Sequence, residues 1–229
     1  MKTVWITRKS QPEEQLLAEN LGLQLVDVPA IEIELLPFEV ISVPHSPAWV
    51  FTSQHAVEWV KTGIESENLS PDLLPEQWFA IGKKTAKAIR DLKFDPIIPD
   101  AAYGGNLAVL LDTYKVRTVL HFTGNLARAE LAQACLVYGI NYHAIEVYKT
   151  HILPPEKFPT EKPDAVLFLS PSAVEGFAST MEGARILEQN RLFAIGKTTQ
   201  QALSDLQYSS EIPIQANLAS LLEFVQKTI

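Results

Sequence analysis

The segment Trp49-Val50-Phe51-Thr52-Ser53-Gln54-His55-Ala56-Val57 is echoed by Val166-Leu167-Phe168-Leu169-Ser170-Pro171-Ser172-Ala173-Val174. Each copy is followed by a second match, Phe79-Ala80-Ile81-Gly82-Lys83-Lys84-Thr85 and Phe193-Ala194-Ile195-Gly196-Lys197-Thr198-Thr199. The offset is 117 positions from Ser53 to Ser170 and 114 from Gly82 to Gly196, regular enough to imply duplication. A chain that repeats itself in this way is expected to form two similar units facing one another, and the cleft so made is where a ligand site is to be sought.

The pattern within each repeat sets the fold class. Val4 to Thr7 reads as a strand, and Glu13 to Leu21 as a helix with Leu16, Leu17 and Leu21 on one face, stopped by Gly22. Leu23 to Val28 reads as another strand. The same order recurs, fainter in letters, in Val116 to Phe122, Ala129 to Tyr138 ended by Gly139, and Tyr142 to Val147. Alternating strand and helix predicts an α/β fold of two similar small parallel-sheet domains covered by helices, because parallel neighbours need crossover connections. Ala30 to Val43 and the proline-rich Glu146 to Pro163 fall outside the repeat and read as connections.

Composition excludes several classes. The chain has 229 residues, 47% of them hydrophobic and 20% charged, which suits a globular protein with a sizeable core. A net charge of −8, with no basic run, argues against a nucleic-acid partner. Cys135 stands alone in an apolar helical pattern, so a buried packing role in a reducing compartment is expected. The N-terminus lacks the apolar stretch of a signal peptide, and no run of about 20 apolar residues could span a membrane. A soluble cytoplasmic protein without a membrane partner is the expectation.

Phe51-Thr52-Ser53, Ile81-Gly82-Lys83-Lys84-Thr85-Ala86, Val147-Tyr148-Lys149-Thr150, Leu169-Ser170-Pro171-Ser172-Ala173-Val174 and Ile195-Gly196-Lys197-Thr198-Thr199 together resemble the uroporphyrinogen-III synthase family. The resemblance runs from Thr7-Arg8 almost to the C-terminus. It implies two α/β domains joined by a two-stranded connection, one inserted in the other: residues 1–34 with 150–229, and 35–149. The implied activity is cyclisation of hydroxymethylbilane to uroporphyrinogen III with inversion of ring D and loss of water. The resemblance further implies a monomer that uses no metal or organic cofactor.

A substrate with eight carboxylates calls for many aimed donors rather than one strong nucleophile. Thr52, Ser53, Ser170 and Ser172 follow apolar strands, where ligand-facing loops of open α/β sheets lie, although serine and threonine there also cap helices. Gly82 and Gly196 would let backbone approach a ligand, and Thr85, Thr198 and Thr199 would donate from helix N-termini, with Thr199 matching the family's second threonine. Tyr148 matches the family's tyrosine at the domain connection and is the expected catalytic group, its phenol either protonating the departing hydroxyl or only orienting it. A ring packed between domains is the structural alternative. Arg8 and Arg128 would pair with substrate carboxylates or with nearby acidic side chains. Two departures from the family pattern are Lys9 after Thr7-Arg8, and Phe122-Thr123-Gly124-Asn125 without an arginine before the glycine. The rival reading is a non-catalytic two-lobed protein that binds an anionic small ligand.

Overall fold

Val4, Trp5 and Ile6 are all buried, as are the four residues Ala165–Phe168. Strands buried on both faces belong inside a parallel sheet with helices on either side. The computed structural model describes residues 1–37, 48–99 and 104–229; the expected connection Ala30 to Val43 lies beyond them from residue 38 on. Along the chain the elements are β1 (Lys2–Ile6), α1 (Pro12–Asn20), β2 (Leu23–Asp27), β3 (Ile31–Leu35), β4 (Ala48–Phe51), α2 (Gln54–Ser66), β5 (Gln77–Ala80) and α3 (Lys83–Asp91). They continue as β6 (Pro96–Ile97), α4 (Gly104–Thr113), β7 (Thr118–Gly124), α5 (Glu130–Val137), β8 (Asn141–Ile152) and β9 (Ala165–Phe168). The last are α6 (Pro171–Ala178), α7 (Met181–Gln189), β10 (Leu192–Ala194), α8 (Lys197–Asp205) and α9 (Leu218–Thr228).

The chain divides into two compact units, one of Met1–Glu32 with His151–Ile229, the other of Ile33–Thr150. In the first, the sheet order is β10-β9-β1-β2, and every pairing is parallel. The period-two alternation of strand side chains sorts the core into two layers. Trp5, Val166, Phe168, Leu192 and Ala194 meet Ala173, Val174 and Phe177 of α6, Ile186 and Leu187 of α7 and Leu203 of α8. Val4, Ile6, Ala165, Leu167 and Phe193 point the other way, onto Ala18 of α1 and Leu218, Leu221, Leu222 and Val225 of α9. Leu16 departs from the expected α1 face and is exposed. Leu17, Ala18 and Leu21, spaced at one and four residues, turn toward the sheet instead.

The second unit repeats this plan with β3-β8-β7-β4-β5-β6. The pairings of β4 with β5 and β7, of β5 with β6 and of β7 with β8 are parallel. Trp49, Phe51, Trp78, Ala80, Leu120 and Phe122 face α2 and α3, with Phe51 stacked between Trp78 at 5.4 Å and Phe122 at 5.2 Å. Ala48, Val50, Phe79 and Val119 face α4 and α5, where Cys135 is buried and burial pushes its thiol up to about 11. Within the expected connection Glu146 to Pro163, β8 continues as far as Ile152. The proline-rich part begins only at Pro154.

In both sheets the chain proceeds outward in opposite directions from one central pair of strands, β1 and β9 in one and β4 and β7 in the other. The loops leaving such a pair diverge and open a crevice at the carboxyl ends of the strands. Among the described residues no helix is long and apolar enough to cross a membrane.

Close packing in the first unit depends on Gly176 of α6, where an added Cβ would lie 2.3 Å from the Ala30 carbonyl oxygen and 2.6 Å from that of Leu153. Both obstacles are backbone, so Gly176→Ala should cost about 1–3 kcal/mol of unfolding free energy. Gly105→Ala in α4 meets nothing within 4 Å and should be neutral or stabilising by up to about 1 kcal/mol. Urea titration of the two variants reads both; equal midpoints would contradict this packing.

Candidate active site

Apart from Tyr148, which lies within β8 level with Gly124 at the end of β7, the expected site residues each follow a parallel strand and so fall at the carboxyl-end rims of the two sheets. In the first unit Arg8 follows β1, Ser170 and Ser172 follow β9, and Gly196, Thr198 and Thr199 follow β10. In the second, Thr52 and Ser53 follow β4, Gly82 and Thr85 follow β5, and Arg128 follows β7. The duplication survives in the backbone: Ile81 N donates to Phe51 O and Ile195 N to Phe168 O, both at 2.9 Å. Each bond sets a glycine turn beside a hydroxyl-bearing loop.

Ser53 and Ser170 are N-caps. Ser53 Oγ accepts from His55 N at 3.2 Å, and Ser170 Oγ accepts from Ala173 N at 3.2 Å while lying 2.9 Å from Ser172 Oγ. A capping oxygen keeps its own proton for another acceptor, so the cap and a ligand-facing role coexist. The two glycines differ. Gly82 has φ 84°, the left-handed region where a side chain is strained, whereas Gly196 is extended at −175°. Thr85 and Thr199 are buried, at 5% and 3% exposure, while Thr198 is exposed. Lys83, Lys84 and Lys197 stand exposed at the starts of α3 and α8.

The arginines have partners. Arg8 makes two bonds to the Glu14 carboxylate, at 2.9 and 2.7 Å, and a third to the Lys9 carbonyl. Arg128 lies 3.9 Å from Glu130, with both side chains more than half exposed, a pair that leaves the guanidinium available.

Tyr148 is aimed by an irregularity. The β7–β8 register runs in step to Thr123 opposite Glu146, then Gly124 pairs with Tyr148, skipping Val147. Such bulges re-aim side chains at sheet rims. The half-buried Tyr148 ring covers Gly124, where an added Cβ would fall 2.3 Å from Cε2, and packs on the aromatic core of the second unit. Asn125 fixes the next residues: its Oδ1 accepts from Thr150 N at 2.8 Å and its Nδ2 donates to Thr150 O at 3.3 Å.

One polar group escaped the sequence reading. His121, 2% exposed in the middle of β7, has Nε2 3.0 Å from Thr52 Oγ1 and Nδ1 2.6 Å from the Tyr142 hydroxyl. Burial pushes its pKa from 6.5 down to about 4, and Tyr142 is pushed up to about 12, chiefly by burial with the Cys135 thiol adding. Both groups are therefore neutral at pH 7. The available signal was a histidine alone between apolar neighbours in a buried strand.

A groove of about 400 Å³ lined by Lys61, Ile64, Leu69, Leu74, Leu92 and Phe94 lies at the C-terminal ends of α2 and α3. Helices crossing between parallel strands run back along the sheet, so this groove belongs to the rim opposite Thr52 and Ser53 and is not the candidate site. Among the described residues, no group of three His, Cys, Asp or Glu side chains could hold a metal ion.

Comparison with known proteins gives the same architecture. A family model described as uroporphyrinogen-III synthase HemD matches residues 13–223. Uroporphyrinogen-III synthetase from Helicobacter pylori is 21% identical over 100% of both chains, with a TM-score of 0.69. A mutant uroporphyrinogen III synthase from Thermus thermophilus is 18% identical over 99% of this chain and 98% of that one, also at 0.69. Likeness at such identities is likeness of fold. A search of curated proteins finds no match.

Neutral burial of His121 predicts a pH dependence of stability. The folded protein holds fewer protons than the unfolded chain between about pH 4 and 6.5, so this contribution is complete above pH 6.5 and lost as the pH falls toward 4. Its full size is on the order of 3 kcal/mol. Unfolding titrations of wild type and His121→Gln across that window should diverge by an amount of this order; parallel curves would contradict a buried neutral imidazole.

Proposed function

Because the chain belongs to the uroporphyrinogen-III synthase family, we propose that it converts hydroxymethylbilane, a linear tetrapyrrole, into uroporphyrinogen III with inversion of ring D and loss of water. The observation that carries this reading is the extent of the family match, residues 13–223, which takes in elements of both units. The chemistry of the rims supports it. They gather hydroxyls, helix N-termini and lysines. An octacarboxylate is held by many such donors, because ionised carboxylates only accept hydrogen bonds.

In the proposed reaction Thr52, Ser53, Thr198 and one hydroxyl of the hydrogen-bonded pair Ser170 and Ser172 donate to substrate carboxylates, with the amides that open α2, α3, α6 and α8. The half-buried Tyr148 phenol donates to the terminal hydroxyl as it departs. That hydroxyl leaves as water with the proton of the adjacent pyrrole nitrogen, giving an azafulvene. The substituted carbon of ring D attacks it to form a spiro-pyrrolenine, which fragments and recloses at the other carbon. The proton lost from that carbon restores the pyrrole N–H, so one water is the net loss. The protein supplies orientation and hydrogen bonds while the pyrroles supply the electrons.

Freshly generated hydroxymethylbilane provides the test. The protein should yield uroporphyrinogen III in excess over the spontaneous type I isomer; an isomer distribution unchanged from the uncatalysed control would reject the proposal. Within it, Tyr148→Phe should lower kcat on the order of 10²-fold with little loss of stability. Gly124→Ala should also slow turnover, because its methyl displaces the Tyr148 ring. Wild-type turnover in Tyr148→Phe would remove the phenol from the mechanism.

A further inference from the structure

The period-two alternation that places Ala48 and Val50 on the α4–α5 face of the second sheet also places Thr52 there, at the rim. In β7 the same face carries Val119 and His121, whose neighbours in register are Val50 on β4 and Ala144 on β8. Tyr142 pairs with Val119 and reaches His121 diagonally. A continuous chain of three polar groups thus runs from the interior to the rim: Tyr142 hydroxyl, His121 imidazole, Thr52 hydroxyl.

The two distances favour one direction along it. Hydroxyl donors make the shorter contacts, whereas N–H donors settle near about 2.9–3.0 Å. The 2.6 Å contact fits Tyr142 O–H donating to Nδ1, and the 3.0 Å contact fits Nε2–H donating to Thr52 Oγ1. A phenol is also the better donor of the two hydroxyls. A neutral imidazole has one N–H, so accepting at Nδ1 obliges it to donate at Nε2. With its oxygen already accepting, Thr52 has its own proton to give. In the opposite tautomer Thr52 would spend that proton on Nε2 and turn lone pairs toward the rim, where a carboxylate would be repelled.

We propose that His121 is a positioning residue: fixed by Tyr142 as the Nε2–H tautomer, it commits the Thr52 hydroxyl to donating to a substrate carboxylate. This rests on the reading that the rim of the second unit binds hydroxymethylbilane. The donor is set before the ligand arrives, so no reorientation cost falls on binding.

Two measurements test it. Imidazole ¹⁵N spectra of the wild-type protein should show His121 neutral and protonated at Nε2 between pH 6 and 8; protonation at Nδ1 overturns the assignment whether or not any variant folds. In steady-state assays Thr52→Val and His121→Asn should each raise KM for hydroxymethylbilane about tenfold and more than they lower kcat, the loss of one hydrogen bond to a charged group. The double variant should be no worse than either single one, because His121 acts only through Thr52. His121→Gln, whose amide can reach the Nε2 position, should recover most of the loss. Additive effects on KM would overturn the proposal. A wild-type protein that forms no type III product would reject the proposed function instead, leaving the tautomer measurement to decide the assignment.

Discussion

Parallel pairing of β1 with β9, Val4 on Ala165, Trp5 on Val166 and Ile6 on Leu167, is the contact on which the rest of the structure depends. It joins segments about 160 residues apart, so closing the first sheet requires everything between them to be looped out. The loop is a unit with a sheet of its own, and its central pairing, β4 with β7, has the same form. The two halves of each repeat are consequently divided between the sheets. β1 and β2 complete their sheet with β9 and β10, while β4 and β5 complete theirs with β7 and β8. Pairing this distant makes loop closure costly before contacts repay it, and slow folding is the physical consequence.

The same pairing fixes where chemistry can occur. Loops leaving a central strand pair diverge at its carboxyl end, and in both units those loops carry hydroxyls at helix starts. Ser53 spends an acceptor on its own helix and keeps a donor, the pair Ser170 and Ser172 keeps one donor between them, and in the proposed tautomer the Thr52 oxygen is occupied by His121 to the same effect. Hydroxyls whose oxygens are already engaged suit an anionic ligand. They also suit a chain of net charge −8, in which binding has to come from local donors rather than from the overall field.

Much of this was legible in the sequence. Apolar strands followed by Ser or Gly turns, twice over, gave the α/β class and the strand ends, since period-two burial and helix starts are local properties. The echo of Phe51 and Ile81 in Phe168 and Ile195 corresponds to the same backbone bond in each sheet. What escaped depends on partners distant in sequence or on exact register. Nothing local distinguishes Thr85 and Thr199, buried in the first turns of their helices, from the exposed Thr198. The aim of Tyr148 follows from a one-residue slip against Gly124, and the role of Thr52 follows from a histidine 69 positions away. Of the two partners open to Arg8, a substrate carboxylate or a nearby acidic side chain, the structure shows the second, Glu14 in the first turn of α1.

The central claim is that the carboxyl-end rims of the sheets hold the carboxylates of a tetrapyrrole. Titration of the isotope-labelled protein with uroporphyrinogen III under anaerobic conditions, followed by backbone amide NMR, tests it most directly. The largest shifts should fall on residues following β4, β5, β9 and β10, among them Thr52, Ser53, Gly82, Ser170, Gly196 and Thr198. Shifts confined to the groove of Ile64, Leu69 and Phe94, or to the amino ends of the strands, would contradict it.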